Sequence, residues 1–153
     1  MAKTTERYFE DVHVGDVFGS PTYTVTVDAI IAFAREFDPQ PFHLNDEAAR
    51  ASDFGELTAS GWHTAAIGMR LFMTGHLRFV GGAIGLGVDE LRWPNAVHAG
   101  DNLRLETEIL ETRPSRSKPR RGIVRVRNVM TNQRGEIVLS LIANALVQRR
   151  ASA

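Results

Sequence analysis

From Ala83 to Val147 the apolar residues of this chain recur at every second position, in four long segments at about 84–93, 102–112, 122–132 and 136–148. A period of two places alternate side chains on opposite faces of an extended strand. In the last segment Ile137, Leu139, Leu141, Ala143, Ala145 and Val147 share one face. The residues Asn132-Gln133-Arg134-Gly135 supply a hairpin turn before it, and Arg113 to Gly122, with Pro114 and Pro119, reads as the preceding loop. No helix has room between these strands, whereas parallel neighbours need crossovers of a dozen or more residues. One antiparallel sheet follows.

The first half of the chain must cover that sheet. Tyr23, Val25 and Val27 alternate with threonines, predicting a strand over 22–27. Asp28 then opens a helix in which Ile30, Phe33, Ala34 and Phe37 form one apolar stripe, ended by Pro39 and Pro41. Asn45, followed by Asp46 and Glu47, starts a short helix through Ala51. The longest helix candidate runs from Ser60 to about Thr74, apolar on most sides, which predicts a buried helix. The resulting class is α+β, a single domain over 1–153 in which an antiparallel sheet wraps one long helix. The similar stretches Val12-His13-Val14-Gly15-Asp16 and Val97-His98-Ala99-Gly100-Asp101 read as recurrent turns before strands, with both histidines facing solvent.

Composition narrows the chemistry. The chain of 153 residues has no cysteine, which excludes a disulfide scaffold, a thiolate metal site and a thiol nucleophile. His63 and His76 are too far apart for a helical metal pair, so no metal is expected. The N-terminus has no apolar run and the longest uncharged run is Leu57 to Met69, so neither a signal peptide nor a membrane span is predicted and cytoplasmic is the default. Net charge is zero, yet residues 1–60 carry 4 basic and 11 acidic groups, and residues 113–153 carry 10 and 1. The seven cations of 113–127 have no interleaved aromatic, which argues against nucleic acid. Gly81-Gly82-x-x-Gly85-x-Gly87 lacks the lysine of a phosphate loop and leads into a strand, and Ser60 lacks a nucleophile-elbow setting.

Two features carry chemistry. Asp38-Pro39-Gln40-Pro41-Phe42-His43 sets a carboxylate and an imidazole on a proline-stiffened segment, a preorganised acid–base pair able to share one water. The same residues also suit a turn cap and a packing histidine. Ala59-Ser60-Gly61 opens the long helix, where unpaired backbone N–H groups and a glycine suit a developing enolate oxygen. An N-cap and a packing contact are equally served by that pair.

The segment Phe33 to Trp62, with Asp38-x-Gln40-Pro41-x-His43, Phe54-Gly55 and Ala59-Ser60-Gly61, resembles the MaoC-like dehydratases, which include the (R)-specific enoyl-CoA hydratases. Gly15-Asp16, Pro94 to Asp101 and the basic stretch Arg113 to Pro119 with Gly122 extend the likeness over nearly the whole chain. The resemblance implies a hot-dog fold, homodimers or higher homo-oligomers, and a thioester of coenzyme A or acyl carrier protein, with coenzyme A part of the substrate and no separate cofactor. It implies that Asp38 and His43 activate water, that Gly61 donates its amide to the thioester oxygen, and that Gln40, Phe42, Ser60 and Trp62 line the substrate site. Gln40 stands where asparagine is usual, and Phe37 where glycine commonly precedes the aspartate. The implied reaction is reversible hydration of a trans-2-enoyl thioester. A hot-dog thioesterase and a non-catalytic thioester-binding module are the alternatives. Arg113, Arg116, Lys118, Arg120 and Arg121 are either a solvated hairpin or a grip on the phosphates of the thioester's nucleotide tail, including across a dimer interface.

Overall fold

The computed structural model describes residues 5–152; of the span read as one domain, residues 1–4 and 153 lie outside the described residues. After a 3-10 turn at Phe9–Asp11, the elements are β1 (Val17–Phe18), β2 (Tyr23–Thr24), α1 (Val27–Phe37), α2 (Pro41–Leu44), α3 (Asp46–Arg50), α4 (Gly61–Thr74), β3 (Ile84–Arg92), β4 (Asn102–Pro114), β5 (Arg121–Thr131) and β6 (Ile137–Gln148). The described strands form an antiparallel sheet in the order β1-β4-β5-β6-β3, with β2 also paired to β4. Helix α4 packs on β4 and β6, so the antiparallel sheet expected from the alternation wraps the long helix in the hot-dog arrangement that the resemblance implies.

Register explains the packing. Val124, Val126, Asn128 and Met130 of β5 pair with Ala145, Ala143, Leu141 and Leu139 of β6, and this face meets the helix. Ile67 and Leu71 of α4 join Leu103, Leu105, Met130 and Leu139 in one apolar cluster; Leu77, Phe79, Ile109, Val124 and Val147 form a second. Phe72 touches both. The odd-numbered face of β6 behaves as predicted from Leu139 to Val147, but Ile137 lies outside the run, since the register slips between Met130 and Thr131. Val138, Ile142 and Leu146 on the opposite face are buried as well.

Other boundaries move for local reasons. The strand expected over 22–27 shrinks to two residues because Thr26 caps α1, accepting from the Ala29 N–H at 3.2 Å, and Val27 becomes helical. The loop expected over 113–122 is shorter: Arg113 pairs with Ile123 and Pro114 with Gly122, leaving 115–120 as the turn. Phe37 is mostly exposed on α1, and α2 is a helix where only a stiffened segment is expected, with Pro41 at its first turn. The two similar stretches form one turn twice. His13 N–H donates to Asp16 Oδ2 at 2.8 Å, His98 N–H to Asp101 Oδ2 at 2.9 Å, and Gly15 and Gly100 both take positive φ. His98 is nevertheless not solvent-facing; its ring docks on Leu57 O and faces Glu56.

The burial of α4 is one-sided. His63, Thr64, Ile67, Gly68 and Leu71 are buried, whereas Trp62 (59% exposed), Met69 (61%) and Met73 (46%) are not, because the sheet curls around only part of the helix. Met69 and Met73 line an apolar groove of about 140 Å³ together with Gly85, Gly87 and Val88 of the edge strand β3. Among the described residues no helix is long and apolar enough to cross a membrane.

His63 holds α1 on α4 by stacking on Phe33, with ring centroids 4.8 Å apart and 8° between planes. Its Nδ1 is buried without a hydrogen-bond partner, and burial pushes the imidazole pKa below its usual 6.5. The unfolded chain therefore binds this proton more readily than the folded one. Stability in urea is expected to decline as pH falls below about 6.5 toward the lower folded value, and His63→Phe should flatten that decline. A variant with the native slope would show that His63 is not buried as the neutral ring.

Candidate active site

Four chain segments meet at the start of α4. Asp38 is the C-cap of α1, its N–H bonded to Ala34 O at 3.0 Å, and Pro39 stops the helix there. Two residues of turn follow, then α2 carries Phe42 and His43 inward. The stretch 56–60 crosses beneath, tied by Ala59 N–H to Val97 O at 2.9 Å. Trp93 closes the far side, its indole N–H donating to Gly61 O at 2.8 Å. The result is a cleft of about 390 Å³ whose walls include Asp38, Gln40, Phe42, His43, Gly61 and Trp62.

His43 is buried, and its Nδ1 lies 2.5 Å from Thr58 O. A carbonyl can only accept, so Nδ1 carries the hydrogen and the neutral ring presents Nε2 as an acceptor. That Nε2 sits 3.4 Å from Asp38 Oδ2. Phe42 meets the imidazole edge-on at 4.6 Å, and Phe54 packs behind Phe42 at 5.2 Å. The ring can neither rotate nor flip without losing a buried bond.

Asp38 is held from two sides. Gln40 Nε2 donates to Oδ1 at 2.7 Å, and Ser60 Oγ donates to Oδ2 at 2.7 Å. Burial is the largest single influence and opposes ionisation, but these two hydrogen bonds and the charge of a protonated His43 outweigh it. The carboxyl is left below the usual carboxylate range. Ser60 also accepts the Trp62 N–H at 3.3 Å, so one hydroxyl caps α4 and grips the carboxylate.

The amide of Gly61 is the first of the helix, and it makes no hydrogen bond to the described residues. A Cβ at Gly61 would stand 2.9 Å from the Trp93 ring, so the close approach of that indole requires glycine. Trp62 meets Trp93 edge-to-face at 5.2 Å.

The structure thus brings together Asp38, Gln40, Phe42, His43, Ser60, Gly61 and Trp62. It does not bring Arg116 and Lys118 to them; both lie in the 115–120 turn, at the opposite end of β4 from Asn102. His63 packs against Phe33 and does not line the cleft. Thr58, Thr64, Trp93 and Asn95 line the cleft without having been singled out. Thr58 acts through its carbonyl, for which no side-chain type is diagnostic. Trp93, at the end of an alternating strand and followed by Pro94, was the one visible signal.

A family model described as MaoC like domain matches residues 10–132. The uncharacterized protein YdeM of Bacillus subtilis (strain 168) is 30% identical over 142 residues, covering 92% of this chain and 98% of that one. Among solved structures, the MaoC-like dehydratase from Rhodospirillum rubrum superposes with a TM-score of 0.90 at 51% identity, over 95% of this chain and 99% of that one. The R-hydratase PhaJ1 from Pseudomonas aeruginosa, in its unliganded form, matches with a TM-score of 0.77 at 28% identity, over 94% and 86%.

Proposed function

The chain belongs to the MaoC-like domain family, and on that footing we propose that it adds water reversibly across the double bond of trans-2-enoyl thioesters, giving 3-hydroxyacyl thioesters. One observation carries the reading: two acceptors, His43 Nε2 and Asp38 Oδ2, face each other at 3.4 Å in the cleft. Neither can donate to the other in the resting state. A water bound there gives one hydrogen to each and turns its lone pairs toward the substrate.

The mechanism follows from the asymmetry of the pair. An imidazole is by nature a stronger base than a carboxylate, and Asp38 is further weakened by Ser60 and Gln40. His43 Nε2 therefore takes the proton as the water oxygen bonds to C3 of the enoyl group. Asp38, still ionised, stabilises the imidazolium that forms. Negative charge develops on the thioester oxygen, where the Gly61 N–H and the start of α4 receive it. His43 then delivers the proton to C2. Water has added as OH at C3 and H at C2, and the pair is restored.

We assign the working form as a homodimer joined at β3. That strand is exposed along nearly its whole length, with Ile84, Leu86 and Val88 each about half exposed. Its free edge adjoins the apolar groove of Met69 and Met73. A bare apolar edge of this length requires cover. A second copy related by a two-fold normal to the sheet supplies it, pairing the edges antiparallel and bringing both α4 helices to one face.

A panel of 2-enoyl thioesters tests the reaction. Loss of the conjugated absorbance without free thiol means hydration; released thiol would replace this reading with a thioesterase, and binding without either would leave a binding module. Asp38→Asn and His43→Gln should each lower kcat by about 100- to 10,000-fold with unfolding midpoints near native. Substantial turnover in either removes the assignment.

Ser60→Ala has a distinct signature. Without its hydroxyl, burial is opposed on one oxygen fewer, so the Asp38 carboxyl should titrate at higher pH in the variant than in the native protein, followed by carbon NMR of the carboxyl group. The same variant should lose about 1 kcal/mol of stability through the missing cap. A carboxyl titration that stays in place would show that Ser60 does not set the ionisation of Asp38.

A further inference from the structure

A turn of the form Val-His-x-Gly-Asp occurs twice, at 12–16 and 97–101, and the fold uses its two histidines differently. Each turn is shaped by the aspartate, which accepts the histidine N–H, and by the glycine, which takes positive φ. The two imidazoles are thus free for other contacts. The His13 side chain is 76% exposed and reaches Asp16 of its own turn at 3.7 Å. The His98 side chain is 20% exposed and lies against the segment 56–58.

That segment carries the carbonyl that orients His43, yet it belongs to no helix or strand. Thr58 makes an isolated antiparallel bridge to His98 itself. His98 Nδ1 lies 3.2 Å from Leu57 O and 3.4 Å from Thr58 Oγ1. A carbonyl accepts, and the Thr58 hydroxyl already donates to Glu56 O at 3.0 Å, so Nδ1 carries the hydrogen and shares it between two consecutive residues. On the other side of the ring, Nε2 stands 3.3 Å from Glu56 Oε1. One imidazole therefore spans Glu56, Leu57 and Thr58, immediately before the Thr58 carbonyl meets His43 Nδ1. His98 does not line the cleft, so its influence on His43 runs through this segment.

The anchorage behind His98 belongs to the sheet. Asp101 is buried; its Oδ2 accepts the His98 N–H at 2.9 Å and its Oδ1 accepts the Gln133 amide at 3.0 Å. Gln133 in turn accepts the Asn102 N–H at 2.9 Å, and Asn102 begins β4. Without the His98 Nδ1–H, Thr58 keeps a long tie to Phe42 O at 3.5 Å and, one residue on, the Ala59 bond to Val97 O. Productive acid–base geometry holds only within about 0.5 Å, so slack of that size in Thr58 is felt at His43.

We infer that His98 is a positioning residue for His43: its Nδ1–H holds Leu57 and Thr58 in place, so that the Thr58 carbonyl keeps the His43 ring turned with Nε2 toward Asp38. The effect on turnover rests on the hydratase reading above; the effect on the His43 ring does not. His13 supplies an internal comparison, the same residue in the same turn with its ring turned to solvent.

The test exploits the two ends of the ring. Asparagine carries an amide N–H near the place of Nδ1, whereas glutamine carries one near the place of Nε2. H98N should therefore keep kcat within about threefold of native, while H98Q lowers it about 10- to 100-fold with KM within about twofold. Both variants should unfold near the native midpoint. The His43 Nδ1–H proton, followed by NMR of protein labelled with nitrogen-15 histidine, should keep its native shift in H98N and move or broaden in H98Q. H13N and H13Q should leave kcat and this signal unchanged. Equal kcat in H98N and H98Q, an unmoved His43 signal in H98Q, or an effect confined to the unfolding midpoint would each overturn the proposal. If the native protein turns over no enoyl thioester, the hydratase reading falls alone, and the His43 signal still decides whether His98 positions the ring.

Discussion

The bond from His43 Nδ1 to the Thr58 carbonyl is the contact on which the cleft depends. It fixes the tautomer, and so decides that the ring meets Asp38 as an acceptor and not as a donor. It also joins two segments whose backbone tie is long, since the Thr58 N–H reaches Phe42 O only at 3.5 Å. Thr58 is in turn held by the chain beyond it, because Ala59 bonds to Val97 and the His98 ring meets Leu57 O. The imidazole is therefore positioned by the sheet-bound turn at Asp101, through three successive contacts, although its own helix is a single turn long.

Ser60 concentrates a second dependence. Its oxygen accepts from Trp62 and its hydrogen goes to Asp38, which uses its one donor and one of its two lone pairs. The residue expected from the resemblance to line the substrate site acts in this structure on the carboxylate and the helix. The geometry explains how a partly buried acid stays ionised: desolvation is opposed at each oxygen by one donor, Gln40 at Oδ1 and Ser60 at Oδ2. Gln40 reaches Oδ1 at 2.7 Å, so its amide closes the second of the two contacts.

What could be read from the chain beforehand divides along physical lines. Period-two alternation revealed β3 to β6 within two residues, because long strands sum many weak preferences over one buried face. The caps of α3 and α4 were visible at Asn45 and Ser60, where one side chain and one backbone amide lie close in sequence. The short β1 and β2 escaped or were misjudged, since two residues carry almost no pattern. The exposed side of α4 was also invisible: apolar composition says that a surface favours cover, not how far the sheet of the same chain reaches around it. In the cleft, Asp38, His43 and Gly61 were singled out by type and spacing, which left a structural reading open, and it was the resemblance that joined them into one site. Thr58 was not, because it contributes a carbonyl, and Asn95 was not, because its place is set by a bond to Ile137 O, 42 residues away.

The zero net charge of the chain is the sum of structurally different populations. Half of the C-terminal cations are tied to acids, on the sheet's outer face, in the turn before β6 or at the N-terminal segment, as Arg125 is to Asp89 and Arg150 to Asp11. Such exposed pairs contribute little to stability, typically below about 1 kcal/mol each, and their chief effect is to remove charge from that surface. The remaining five lie in or beside one hydrogen-bonded turn and have no carboxylate partner among the described residues. A cationic turn at one end of the sheet and exposed acids around the cleft at the other separate charge along the strands. In the antiparallel β3 dimer proposed above, the charge separations of the two chains run in opposite directions and attract, so charge placement and edge geometry agree with that proposal.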